Sequence, residues 1–155
     1  MGKQVKLLHS VHRSELDKVL EAGLKASSDF DDLGLEMRRD VVYCWLRRED
    51  DKMSSGGQRP DHVYLEVTVD EGRCLVAEMD LASVAMTYLQ GSGGRPKNAE
   101  ASRLIAEAYR VTAVPLLEYE PSMFWTPEVL VKGAISSDCI RAITDRPDAA
   151  LAPPP

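Results

Sequence analysis

HVYLEVTVD, at residues 62–70, is the stretch that decides the fold class of this chain. Its apolar residues alternate with polar ones at the period of two that is typical of a strand with one buried face. RCLVAEMD at 73–80 has a similar apolar content, and DEG at 70–72 is suited to a tight turn between the two segments. The pattern therefore predicts an antiparallel hairpin at the centre of the chain.

Further strands and helices are indicated on both sides of this hairpin. Apolar runs predict strands at 5–11, 41–46, 111–119 and 127–133. Helical spacing predicts helices at 14–24 and 99–110, and residue propensity predicts a helix at 81–90. In the last of these helices the expected buried face is Ala101, Leu104, Ile105 and Ala108. SDCIRAI at 137–143 suits either a short strand or a turn of helix.

The organisation of these elements predicts the fold class. Strands outnumber helices and do not alternate regularly with them, so we expect an α+β fold with a mostly antiparallel sheet and a few short helices. We expect one domain over 1–145 and a frayed Pro- and Ala-rich tail over 146–155.

The charge balance argues against broad electrostatic binding of nucleic acid or of an acidic membrane. The chain has 19 Lys and Arg against 25 Asp and Glu, a formal net charge of −6, and no block of basic residues. Recognition of a few bases in a pocket stays open. The N-terminal MGKQVKLLHS has only a two-residue apolar run, so we expect neither a signal peptide nor a membrane span.

The cysteines and glycines exclude several kinds of site. Cys44, Cys74 and Cys139 are odd in number and widely spaced, which predicts unpaired thiols in a cytoplasmic protein and no zinc site. GSGGRPK at 91–97 lacks the Gly-Lys-Ser/Thr ending and the preceding strand of a phosphate-binding loop. No GxGxxG motif is present, so a Rossmann dinucleotide site is also excluded.

Five residues are candidates for a functional site. His9 and His12 lie where the first strand ends and can reach a cleft there, although solvated or capping histidines are common at such positions. Tyr43 and Trp45 share one face of a strand, which also suits core aromatics. Glu128 stands at the start of an apolar strand, where a carboxylate is either solvated or positioned for chemistry.

Three segments, in the same order, resemble the ADP-ribosyltransferase superfamily, and most of all the DNA-targeting ADP-ribosyltransferase toxins. LLHSVHRSELDKVLEAGL at 7–24 is similar to the opening of those toxins, and DVVYCWL at 40–46 is similar to their strand with an aromatic residue. TPEVLVKGAISSDCIRAI at 126–143 is similar to the segment in which a glutamate opens a Val-Leu-Val strand. The superfamily signature of His, aromatic and Glu corresponds here to His9, Tyr43 and Glu128.

This resemblance implies a split antiparallel sheet that binds NAD in its cleft. The histidine would bond the adenosine ribose, the aromatic residue would stack on nicotinamide, and Glu128 would hold the nicotinamide ribose as the catalytic carboxylate. His12 and Trp45 are further candidates for contact with NAD. The implied activity is mono-ADP-ribosyl transfer to a nucleic acid, a protein or a small molecule, as in a bacterial or phage toxin, with an antitoxin or regulatory protein as a possible partner. The implied chemistry needs no metal.

Two departures from the family pattern leave other interpretations open. Arg38, Arg39, Arg47 and Arg48 are candidates by location alone for the arginine that toxin relatives use, and Thr126 replaces the second glutamate of the arginine-modifying relatives. A degenerate module that binds a ligand without chemistry is one alternative. An interaction protein is the other, in which the strand at 63–69 is an exposed edge that pairs with a partner.

Overall fold

The structure is a computed structural model that describes residues 2–28, 32–51, 60–91 and 93–143. Its helices are α1 (Leu16–Ala22), α2 (Met79–Gln90) and α3 (Ala99–Thr112). Its strands are β1 (Gln4–His12), β2 (Val41–Trp45), β3 (His62–Asp70), β4 (Cys74–Glu78), β5 (Val114–Pro115), β6 (Pro127–Lys132) and β7 (Ile140–Ala142). Short 3₁₀ turns lie between them at Arg13–Glu15, Glu36–Arg38, Arg48–Asp50, Glu71–Arg73, Leu116–Glu118 and Ser137–Cys139.

The strands form one sheet in the order β5-β4-β6-β2-β1-β3-β7, and its strand pairings within the described residues are all antiparallel. The predicted α+β class with an antiparallel sheet is confirmed. Where β1 meets β2, the described strands share a single register pair, Leu8 with Trp45. This seam divides the sheet into a half made of β5, β4, β6 and β2 and a half made of β1, β3 and β7.

Each face of the sheet contributes to a different core. The main core takes alternate residues from both halves: Leu7, Val11, Val42, Cys44, Val63, Leu65, Val67, Val69, Cys74, Val76, Val129 and Val131. The opposite face of β4 and β6 lies under α2 and α3, where Ala77, Ala82 and Tyr109 form a second, smaller core. Glu128 belongs to this second face because it alternates with Val129 along β6.

The buried face of α3 differs from the expected one. α3 buries Ser102, Ala106 and Tyr109, and the Ser102 hydroxyl donates to the Ala85 carbonyl of α2 at 2.8 Å. Leu104 is 55% exposed, so its expected place in the core is wrong. The small residues let the two helices approach closely, and this contact decides the rotation of α3 more than the position of its largest aliphatic residue.

The predicted hairpin between 62–70 and 73–80 is also wrong. β4 pairs with β5 and β6, whereas β3 lies between β1 and β7. The turn at Glu71–Arg73 therefore carries the chain from one half of the sheet to the other. Alternation shows which face of a strand is buried but not which strand lies beside it. The same pairing contradicts the idea that 63–69 is an unpaired edge.

The remaining expectations have mixed outcomes. The strand predicted at 111–119 is reduced to β5, because α3 continues to Thr112 and a 3₁₀ turn begins at Leu116. The central strands at 41–46, 62–70 and 127–133 are confirmed. Cys44, Cys74 and Cys139 are free thiols. The predicted tail at 146–155 lies outside the described residues.

Within the described ranges, none of the helices has the length and apolarity that crossing a bilayer requires.

Candidate functional site

A buried carboxylate with two hydrogen-bond donors lies at the start of β6. Glu128 is 3% exposed. Arg38 Nη1 donates to Glu128 Oε2 at 2.9 Å, and the Tyr109 hydroxyl donates to the same oxygen at 2.6 Å. Arg38 Nη1 also donates to the Tyr109 hydroxyl at 2.8 Å, so each of the three side chains contacts the other two. These contacts fix the position of the carboxylate.

Tyr43 completes this group, which we call the Glu128 cluster (Arg38, Tyr43, Tyr109 and Glu128). The guanidinium carbon of Arg38 lies 4.9 Å from the centroid of the Tyr43 ring, a cation–π contact. The Tyr43 hydroxyl donates to the Arg38 carbonyl at 3.3 Å. Tyr43 and Glu128, two of the residues predicted from the sequence, are thus linked through Arg38.

Trp45 lies beside Glu128, because the two residues are register partners across β2 and β6. Trp45 is buried, and alternation along β2 puts it on the same face as Tyr43. The structure therefore brings three of the five candidate residues to one face of the sheet.

The contact between His9 and the Glu128 cluster is a hydrogen bond from the His9 ring to the backbone of Tyr43. Its Nδ1 lies 2.6 Å from the Tyr43 carbonyl oxygen. Because a carbonyl only accepts hydrogen bonds, Nδ1 carries the proton, and Nε2 is the acceptor nitrogen of the neutral ring. His9 alternates with Leu7 and Val11, which puts its ring on the side of the main core, whereas the Tyr43 ring and the Glu128 carboxylate lie on the other face.

His12 lies away from the cluster, on the exposed end of β1. Its Nδ1 contacts the hydroxyl and backbone N–H of Ser14, and its Nε2 lies 3.1 Å from Asp61. Its ring makes a T-shaped contact with the ring of His62. These contacts give His12 a capping role at the 3₁₀ turn that follows β1.

Burial dominates the electrostatics of the cluster. It raises the pKa of Glu128, and the charge of Arg38 together with the hydrogen bond from Tyr109 offsets only part of that rise. Burial works to lower the pKa of Arg38, but Tyr109 and Glu128 outweigh it and the pKa is raised. Burial also raises the pKa of Tyr109, with Glu128 as the next cause, so its hydroxyl keeps its proton. Burial lowers the pKa of His9.

Glu78, the last residue of β4, holds the segment that leads into Glu128. Its carboxylate accepts the backbone N–H groups of Trp125 at 2.6 Å and Thr126 at 3.0 Å. Thr126 is fully buried, and its hydroxyl has no hydrogen-bond partner among the described residues. The start of β6 is therefore fixed by a second buried carboxylate.

Open cavities lie on both sides of the sheet near the cluster. One, of about 450 Å³, is on the face of Glu128 and is lined by Val41 and Leu130, which are two residues from Tyr43 and Glu128 on the same strands. The other, of about 480 Å³, is on the side of the main core, against which its lining residues Leu46, Tyr119 and Phe124 pack. Among the described residues, no group of three or more His, Cys, Asp or Glu side chains is placed to hold a metal ion.

Sequence reasoning missed Tyr109 and named Arg38 only as one of four arginines. Tyr109 could have been found from the spacing of Ser102, Ala106 and Tyr109, which defines a buried helix face that ends in a polar-tipped ring. No local signal distinguishes Arg38 from its neighbours, because its partners are 71 and 90 residues away along the chain.

Comparison with known proteins finds no match for this chain, whether among family models, curated proteins or solved structures.

Proposed function

We propose that the protein binds NAD and transfers its ADP-ribose to an acceptor, with Glu128 as the catalytic carboxylate. The observation that carries the proposal is the Glu128 cluster, which holds a buried carboxylate in one position beside two aromatic side chains. The proposal also rests on the resemblance of 7–24, 40–46 and 126–143 to ADP-ribosyltransferases.

The chemistry of the transfer suits a fixed carboxylate. The bond between the ribose C1′ and the nicotinamide nitrogen breaks, and nicotinamide leaves with the electron pair. Positive charge develops on the ribose, and a carboxylate in a low-dielectric site stabilises it. The acceptor then bonds to C1′ and loses a proton. A carboxylate whose pKa is raised, as that of Glu128 is, is a stronger proton acceptor than an ordinary glutamate.

The aromatic residues fit the positively charged nicotinamide ring. The Tyr43 ring already contacts a planar cation, the Arg38 guanidinium, and a pyridinium makes the same kind of contact. Because Glu128 is nearly inaccessible, NAD reaches it only when the Arg38 or Tyr109 side chain moves. His9, bonded to the Tyr43 carbonyl, acts in this proposal by positioning β2.

The same burial favours a second candidate function, a module that binds a ligand without chemistry. In that case Arg38 and Tyr109 satisfy Glu128 permanently and the cluster is structural. The two functions differ in whether NAD is consumed.

Nicotinamide release tests the proposal. We expect release by the wild-type protein in the presence of nucleic-acid or protein acceptors, and a loss of about 10²–10³ in turnover for Glu128→Gln, because the amide keeps the shape but not the charge. Calorimetric binding of NAD should largely survive this change. Glu66→Gln, on the other half of the sheet, is the matched control and should keep full activity.

Two results would contradict the transferase. Saturable NAD binding without nicotinamide release would favour the non-catalytic module. Absence of NAD binding by the wild-type protein at millimolar NAD would exclude both uses of this cofactor.

A further inference from the structure

The sheet face that carries Glu128 changes character along β6. Three residues of β6 point to this face, and their register partners extend each of them into a row: Ala77, Glu128 and Trp45; Leu75, Leu130 and Tyr43; Lys132 and Val41. The first row holds the carboxylate, the second is apolar, and the third carries a cation. Lys132 lies four residues after Glu128, about 13 Å along the strand.

Arg73 adds a second cation at the Lys132 end. Its Nε donates to the Lys132 carbonyl at 2.9 Å and its Nη2 donates to the Ala134 carbonyl at 2.6 Å. Lys132 Nζ donates to the Arg39 carbonyl at 2.9 Å. These bonds use backbone carbonyls, so within the described residues neither Arg73 nor Lys132 has its charge neutralised by a carboxylate, and both keep unused donors.

The cavity of about 450 Å³ joins these cations to an apolar floor. Its lining combines Arg73, Arg110 and Lys132 with Met37, Val41, Leu75 and Leu130, and with Glu36. Arg110 is paired with Glu107, and Glu36 is exposed on the rim. The three cations and the two carboxylates, Glu36 and Glu107, together leave one net positive charge. This charge is concentrated at Arg73 and Lys132.

We propose that this cavity is a binding site for an organic phosphate, with the phosphate on Arg73 and Lys132 and the apolar body on Leu75, Leu130 and Met37. The planar guanidinium and the compact ammonium are complementary donors for phosphate oxygens. An apolar floor with a few convergent charged groups is typical of small-molecule sites. The site stands some 13 Å from Glu128 along β6 and does not depend on NAD chemistry.

Calorimetric titration of the full chain with three probes tests the ligand class. Phenyl phosphate should bind at least tenfold more tightly than inorganic phosphate, which lacks the apolar body, and than phenol, which lacks the charge. Equal binding of phenyl phosphate and either simpler probe would overturn the proposal, as would the absence of saturable binding of phenyl phosphate.

Substitutions locate the site. Lys132→Gln and Arg73→Gln should each weaken phenyl phosphate binding at least tenfold, because each removes a charge-assisted contact. Lys6→Gln and Arg141→Gln, which change exposed cations on the other half of the sheet, are the matched controls and should leave binding unchanged. Arg73 also donates to two backbone carbonyls, so Arg73→Gln can fold poorly. In that case the comparison of the three probes and the Lys132→Gln variant test the phosphate site.

Phenyl phosphate binding and nicotinamide release are separate measurements, so the phosphate site and the proposed transferase can fail independently. Phenyl phosphate binding without nicotinamide release supports this site and contradicts the transferase. Nicotinamide release that is unaffected by Lys132→Gln, together with no binding of phenyl phosphate, supports the transferase and overturns this site.

Discussion

His9 takes the place of a backbone partner at the seam between β1 and β2. The two strands share the pair Leu8–Trp45, and beside that pair the Tyr43 carbonyl accepts a hydrogen bond from the His9 ring at 2.6 Å. A buried carbonyl without a partner is costly, so the imidazole stabilises the point at which the strands separate.

The partly buried ring of His9 makes stability depend on pH. Burial lowers the pKa of His9 in the folded state below the usual 6.5, so the unfolded chain takes up a proton at a higher pH than the folded chain. Stability is therefore lost as pH falls from above 6.5 towards the folded-state pKa. His9→Asn keeps an N–H donor for the Tyr43 carbonyl but does not titrate, and we expect this part of the pH dependence to disappear.

Urea unfolding of both proteins between pH 7.5 and 5.5 checks this expectation. The free energy of unfolding of the wild type should fall relative to that of His9→Asn as the pH decreases. A constant difference would contradict it. His12→Asn alters an exposed histidine and is the control. If the free energy of unfolding of the wild type fell by the same amount relative to His12→Asn, the effect would not be specific to His9.

Local sequence patterns predict only part of the candidate site. Tyr43 and Trp45 share a face because strand alternation places them there, and alternation is a local property. Glu128 joins that face through the register of β6 with β2, which is non-local. Arg38 and Tyr109 join them across distant parts of the chain, and no local pattern states which cation or hydroxyl meets a given carboxylate. The placement of His9 on the other side of the sheet follows from the register of β1 with β3, which is equally non-local.

At the scale of elements, a glycine connects α1 to Leu24, which pairs with Ile135 in the segment between β6 and β7. Gly23 follows α1 with a φ of +86°, and a Cβ there would lie 2.5 Å from the Ile135 carbonyl oxygen. Leu24 and Ile135 exchange backbone hydrogen bonds at 2.9 Å immediately after it. The glycine therefore permits both the positive φ and the close approach of two backbone segments.

Gly23→Ala should lower the free energy of unfolding by about 2 kcal/mol or more, because backbone strain and a clash with a carbonyl add together. Gly34→Ala is the matched control, since Gly34 has a φ of +71° with open space around it and should lose only about 1 kcal/mol. Chemical denaturation of the two variants measures both losses. Equal losses would contradict the role of the Ile135 carbonyl.

The element scale shows which parts of the fold local patterns predict. The helix at 99–110 and the strand at 62–70 were predicted from apolar periodicity, the helix at 81–90 from residue propensity and the strand at 41–46 from a continuous apolar run. Each exists close to its expected limits. The partner of β4 was missed because β6 pairs with it across some fifty residues of intervening chain. The strand expected at 111–119 failed because helix and strand both accommodate short Val- and Leu-rich runs.

At the scale of the whole molecule, the main core joins the two halves that the seam separates. Val67 of β3 and Val129 of β6 are both fully buried in this core although they belong to different halves. Packing across the seam should therefore make unfolding cooperative, since neither half can leave without exposing the apolar face of the other.

Val67→Ala and Val129→Ala should each destabilise the protein by about 2 kcal/mol and leave one unfolding transition. Circular dichroism follows the whole sheet, and tryptophan fluorescence includes Trp45 in the half that contains β6. Coincident transitions are expected for both variants. A fluorescence transition that separates from the circular dichroism transition in Val67→Ala would show that the halves unfold independently.

The order of the strands in the sheet also determines when the sheet can form during synthesis on the ribosome. β6 lies between β2 and β4 in the sheet but follows both in the chain. The 50 residues from Glu78, the end of β4, to Glu128 take roughly 2.5–10 s to synthesise at 5–20 residues per second. During that interval the nascent chain carries two apolar strands without the strand that joins them, and they are the natural binding sites for chaperones. Arg38 and Tyr109 are also synthesised before their carboxylate partner, so the Glu128 cluster can form only after synthesis has passed β6.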